Sequence, residues 1–170
     1  LTLSVSLSDK AGNKGPEATD SVEKDTVEPV LTAVSISSDN DNSKQAKVGD
    51  TVTLDITSSE EIAEPSVTIA GQDAIIIAGG DNDATTWQAE YTMQSGDPEG
   101  EVDFTIDYED IAGNSGSQVT ETTDDSKVSY DQSQPAGYSV EFDQDIINIG
   151  NEETISFTFR GAEVDSTYNY

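Results

Sequence analysis

The chain has no cysteine and no histidine. The first absence excludes disulfides, catalytic thiolates and zinc-thiolate sites. The second removes the commonest general base and the commonest transition-metal ligand. Positive charge is scarce: seven Lys and Arg stand against 35 Asp and Glu, a formal charge of −28. Phosphate recognition needs the opposite sign, so nucleic acid is all but excluded as a partner, and an anionic membrane would repel this surface. No apolar run approaches the roughly 18 residues of a transmembrane helix. Nothing at Leu1 has the form of a signal peptide, and the chain begins in mid-strand, which reads as a piece of something longer. Hydrophobic residues make up only 33% of the 170, enough for a core if they are concentrated on one face of each strand.

They are so concentrated. Asp110-Ile-Ala-Gly-Asn-Ser-Gly116 occurs twice, as Asp9-Lys-Ala-Gly-Asn-Lys-Gly15 lies 101 positions earlier. Leu1, Leu3, Val5 and Leu7 lead into the first copy and Val102, Phe104, Ile106 and Tyr108 into the second, the period-two pattern of half-buried strands. Each copy reads as a hairpin loop in which Gly permits positive φ, Asn tolerates it, and the Asp carboxylate is free to bond backbone or cation. A second echo sets Val52-Thr-Leu-Asp-Ile-Thr-Ser-Ser-Glu60 against Ile155-Ser-Phe-Thr-Phe-Arg-Gly-Ala-Glu163. The expected fold class is all-β: tandem repeats of roughly 100 residues, the size of an immunoglobulin-like β-sandwich.

In order, residues 1–26 read as the end of one domain. A complete seven-stranded domain with its N-terminal linker follows over 27–130, and the start of another over 131–170. The complete domain is expected to place strands at 31–37, around Val52 to Ile56, at Val67 and Ile69, at 74–78, along Trp87, Ala89, Tyr91 and Met93, along Val102 to Tyr108, and at 117–122. Residues 23–29 and 123–128 lack the alternation and read as linkers.

Alternating strand direction then sorts the loops. The first linker, the Glu60 loop, the Asp81 turn and the Asp110 hairpin fall at one pole; the Asp39 loop, the Gly71 and Asp97 turns and the second linker fall at the other. Acidic loops converging in this way suit a hard cation such as Ca²⁺, which takes about six to eight oxygens in flexible geometry. The candidate ligands at the first pole are Asp110, with Asn114 or its backbone, Glu60 and Asp25. At the second, Asp124 or Asp125 would meet Glu163, the counterpart of Glu60, with Asp39, Asp41 and Asp97 contributing. Asp9 repeats Asp110 in the first hairpin. Against these stand plainer roles: Asp110 capping its own turn, Glu60, Asp39 and Asp41 as solvated loop acids, Asp81 and Asp83 as turn formers, and the whole charge as a solubilising surface. An EF-hand over Asp39–Asp50 is rejected, because Lys44 stands where the sharp turn needs Gly and Asp50 where Glu is required. Paired-carboxylate catalysis needs a cleft that acids on loop tips do not supply, so no enzyme is expected.

The hairpin Asp110-Ile-Ala-Gly-Asn114, the segment Val48-Gly-Asp-Thr-Val-Thr-Leu54 ending in Glu60, and the linker Asp25-Thr-Val-Glu-Pro29 resemble the bacterial Ig-like extender repeats of giant RTX adhesins. The resemblance implies a long array at the bacterial cell surface, outside the cell, with Ca²⁺ stiffening each junction between neighbouring repeats of one protein. It carries over to Asp25, Glu60, Asp110 and Asn114 at one junction and to Asp124 and Glu163 at the next; the second linker departs from the pattern in lacking a nearby Pro. Half-domains at both ends raise the expectation of head-to-tail contact between chains. The alternative is a carbohydrate- or surface-binding β-sandwich module of a secreted protein, which would present an exposed aromatic platform.

Overall fold

Alternation decides which residues become strands, and the computed structural model follows it closely. Residues 1–78, 84–150, 152–161 and 167 are described; Asp81, Asp83 and Glu163 lie outside them. The chain forms two compact units, Leu1–Asp131 and Gln132–Tyr170. It is all-β, with no helix among the described residues and several antiparallel sheets, consistent with a β-sandwich.

The first unit begins with a hairpin, β1 (Thr2–Val5) and β2 (Ala18–Ser21), in which Val5 faces Ala18. Its body contains β3 (Leu31–Ser38), β4 (Gln45–Ala46), β5 (Thr51–Ser58), β6 (Ser66–Ile69), β7 (Gln72–Asp73), β8 (Ile75–Ala78), β9 (Thr86–Thr92), β10 (Gly100–Glu101), β11 (Phe104–Asp107) and β12 (Ser129–Tyr130). One sheet has the order β3-β5-β9-β8 and another β11-β6-β7. The second unit holds the hairpin of β13 (Ser139–Phe142) and β14 (Phe157–Arg160).

Both main sheets turn their apolar positions into one core. Val34 and Ile36 of β3 and Val52, Leu54 and Ile56 of β5 meet Val67 and Ile69 of β6 and Phe104 and Ile106 of β11, all buried. Outward positions on β5 are Thr51, Thr53, Asp55 and Thr57, so polarity alternates against burial as a one-sided sheet requires. Trp87 only flanks the core, and the fully buried aromatic is Tyr130, whose hydroxyl donates to the Gln94 carbonyl at 2.8 Å. Ile75 and Ile77 on edge strand β8 face outward although the stretch reads as continuously apolar.

Two expected boundaries move. Residues 117–122 do not form a strand; Val119 makes a single antiparallel bridge to Ile106 of β11. The segment read as the second linker instead belongs to the body. The Thr123 N–H donates to the Val34 carbonyl at 2.8 Å, and the Ile36 N–H donates to Ser126 Oγ at 2.9 Å. Val128 is fully buried, and β12 runs parallel to β4. The chain therefore leaves β11, crosses to the free edge of β3, and returns to close the core. Pro29 is also fully buried, which places the end of the first linker inside the body.

Candidate metal centre

Asp110 begins a tight loop closed by its own backbone: Asp110 N–H donates to Asn114 O at 3.0 Å and Gly113 N–H to Asp110 O at 3.1 Å. Gly113 takes φ +89°, open to glycine and strained for other residues. Gly116 is needed for a different reason. A Cβ there would lie 2.3 Å from the Tyr108 ring, so the last glycine of the motif lets the strand leaving the loop press onto an aromatic of the strand entering it. Asn114 donates twice to the Asp110 carboxylate, from its backbone N–H to Oδ1 at 2.8 Å and from Nδ2 to Oδ2 at 2.7 Å. These bonds, the side-chain amide first, hold the Asp110 carboxyl below its ordinary pKa against the opposing effect of burial. Asp110 is thus a buried, ionised group whose orientation its own loop determines.

Glu60 arrives from the loop after β5, where Ser58 Oγ donates to the Glu60 carbonyl. The neighbouring Ser59 ties this loop to the incoming chain, its N–H donating to Val30 O at 2.8 Å and its Oγ accepting from Val30 N–H at 3.0 Å. Upstream, Asp25 Oδ1 accepts from the Val27 N–H at 2.9 Å. Across the loop, Ile62 bridges to Asp110 and the Ala63 N–H donates to Glu109 O at 2.9 Å.

The consequence is that Asp25, Glu60 and Asp110 bring one carboxylate oxygen each to within 4.8 Å of one another. Among the described residues this is the one such group of acids. Oxygens at about 2.4 Å from a common Ca²⁺ can be at most about 4.8 Å apart, so the spacing fits one shared ion. The donors are all carboxylate oxygens, the set that hard divalent cations prefer and that soft transition metals do not. Nitrogen and sulfur ligands are absent from the group. Asn114, expected as a possible ligand, uses its two nitrogens to orient Asp110; a cation would take its oxygens.

The remaining described candidates lie outside this group. Asp9 repeats the Asp110 arrangement with Asn13, whose N–H and Nδ2 donate to it at 2.9 and 2.8 Å, but it is exposed and joins no group of three acids among the described residues. Asp39 Oδ1 accepts from the Thr51 N–H at 2.7 Å, while Asp41 is exposed. Asp97 is buried and accepts from the Gln94 N–H at 2.7 Å and the Tyr91 hydroxyl at 3.2 Å. Asp124 accepts from the Ser126 N–H at 3.0 Å, and Ser126 holds its carboxyl below the ordinary pKa. Asp125 takes the left-handed φ of 58° that turns the chain toward β3.

The sequence reading missed Asp50, which it weighed only as a failed EF-hand position. Its Oδ2 accepts from Asn40 Nδ2 at 2.6 Å and from Lys47 N–H at 2.9 Å, and its Oδ1 pairs with Lys47 Nζ at 2.9 Å. Asn40 foremost, then Lys47, lowers the carboxyl from 3.8 to about 2 despite partial desolvation. The Asp39 loop is thereby closed by amide and ammonium donors. The signal was present in the chain as Asn40, Lys47 and Asp50 bracketing one loop, but amide-to-carboxylate pairing across ten residues has no distinctive spacing.

No family model, no curated protein and no solved structure matches this chain. The candidate site rests on its own geometry.

Proposed function

We propose that the chain is a structural extender segment of a bacterial cell-surface adhesin, built from immunoglobulin-like repeats, in which Ca²⁺ held by Asp25, Glu60 and Asp110 stiffens the junction before the body. The observation that carries this reading is the meeting of three carboxylates from three separated segments at the point where the chain enters the body. Asp25 belongs to the stretch between β2 and β3, which contains no strand. Anchoring it to Glu60 and Asp110 fixes a segment that would otherwise behave as a flexible linker, whose reach grows only as the square root of its length. Three like charges at this spacing repel, so without a counter-ion the group favours separation of Asp25 from the other two. A bound divalent ion would cancel that repulsion. Extracellular Ca²⁺ modules bind with Kd of about 10⁻⁴ to 10⁻³ M, so such a site fills outside a cell and empties within it.

The proposed role is mechanical. A carbohydrate-binding module would present its aromatics as a platform; Trp87 is partly buried against the core and donates from Nε1 to Ala84 O at 2.9 Å. Small-angle scattering of the chain in millimolar calcium and in chelator tests the proposal. A narrower distribution of molecular extents in calcium supports it, and identical profiles contradict it.

A further inference from the structure

We propose that the two hairpins β1–β2 and β13–β14 are complementary docking surfaces, through which one copy of this chain binds a second copy head to tail. Both hairpins bare an apolar face. Leu3 and Leu7 are 65% and 78% exposed, and Phe142 and Phe157 are 67% and 47% exposed. Isolated two-stranded hairpins are marginal in water, and contiguous apolar patches of this kind mark interaction surfaces.

The occupant of each face is argued from the body of the same chain. In β13–β14, Val140 faces Phe159 and Phe142 faces Phe157; in β3–β5, Val34 faces Ile56 and Ile36 faces Leu54. In β1–β2, Val5 faces Ala18, as Ile106 faces Val119 beside β11. The loop bonds recur as well, Gly15 N–H to Leu7 O at 2.8 Å and Gly116 N–H to Tyr108 O at 3.0 Å. Within the body, Val34, Ile36, Leu54 and Ile56 share one core with Phe104 and Ile106. The face that fits β13–β14 is therefore the face that β1–β2 carries.

Volume agrees with this pairing, and charge opposes it only weakly. Leu3 and Val5 stand where the body has Phe104 and Ile106, a loss of bulk, while Phe142, Phe157 and Phe159 stand where it has Ile36, Leu54 and Ile56, a gain on the facing side; close packing tolerates such exchanges when total volume is kept. In a chain of charge −28, residues 1–22 hold two Lys against three acids, a net of −1, so the least acidic hairpin meets one with five acids and one Arg, a net of −4. Counterparts of β6 and β9 are supplied by neither hairpin, which makes the junction small and the association weak. Each copy carries one face of each kind, so the contact is heterologous and propagates.

Sedimentation equilibrium of the full chain in chelator, from about 10 μM to 1 mM, tests this independently of the calcium reading. The expected result is a mass that rises past two chains with concentration. Leu3→Asp and Phe157→Asp, each at an exposed position, should remain monomeric alone, yet an equimolar mixture should form a dimer that stops at two chains. Trp87 fluorescence verifies that the body of each variant is folded; should either misfold, the unmodified chain's concentration series decides. A mass of one chain throughout, self-association by either variant, or a mixture that stays monomeric would overturn the proposal.

Discussion

Asn114 grips Asp110 from two sides, with its backbone nitrogen on Oδ1 and its side-chain nitrogen on Oδ2. The same residue type therefore stabilises the charged form of the carboxylate and orients it toward Glu60 and Asp25. Replacing Asn114 by Ala should lower the melting temperature by a few degrees and move the Asp110 carboxyl up toward its ordinary pKa, read by NMR titration. It should also weaken divalent-ion binding by about tenfold, a size typical of groups that orient a metal ligand. Unchanged affinity in the folded variant would separate the loop from the site.

Gly116 should not tolerate a side chain. Gly116→Ala places a methyl group inside the Tyr108 ring, and forced overpacking costs about 1–3 kcal/mol. In the first hairpin the residue facing the corresponding glycine is Leu7, so Tyr108→Leu should recover part of the loss in the double variant. Denaturant melts of the two single variants and the double measure the coupling, and strict additivity would show that the ring contact is not the cause.

The chain end needed by the body lies beyond Val128. A chain stopped after Asp131 should fold, whereas one stopped after Thr122 loses the buried Val128 and Tyr130 and the bonds from residues 123 and 126 to β3, and should not. Val128→Ala should cost about 1–3 kcal/mol from lost burial and the cavity left behind. Thermal melting of the two truncated chains checks the boundary.

Asp50 makes the stability respond to acid. Its folded pKa of about 2 lies below the ordinary 3.8, so the unfolded chain binds the proton more readily and the contribution is full above about pH 4. It is lost as pH falls from about 4 toward 2. Asp9, Asp110, Asp124 and Asp143 are lowered too and act in the same sense. Asp50→Asn should flatten part of this fall in a pH series of chelated protein; an unchanged slope would assign the acid response elsewhere.

How much of this was legible in the chain follows from the range of each interaction. Val52, Leu54 and Ile56 announce their strand because alternation is local, and they are buried as the pattern requires. Asp25, Glu60 and Asp110 could be placed at one pole because strand direction alternates and loop positions follow by counting. Residues 123–128 read as a linker because Thr-Asp-Asp-Ser-Lys carries the turn chemistry of one, while only Val128 and the following Tyr130 show that the segment is core. Their burial depends on parallel pairing with β4, some 84 residues away, and parallel pairing has no local sequence signature. The anchoring of the Asp97 turn by Gln94 and Tyr91 was not legible, because acidic turns look alike until the partners are seen.

The central claim is that Asp25, Glu60 and Asp110 hold one calcium ion together. Thermal melting in chelator and in calcium at about 100-fold excess over Kd tests it, since that excess adds roughly 2.7 kcal/mol to the folded form and should raise the melting temperature by about 10 °C. The account predicts this rise for the unmodified chain and its loss in Glu60→Gln and Asp110→Asn, both folded by Trp87 fluorescence. A melting temperature indifferent to calcium, or a rise that survives both substitutions, would contradict it.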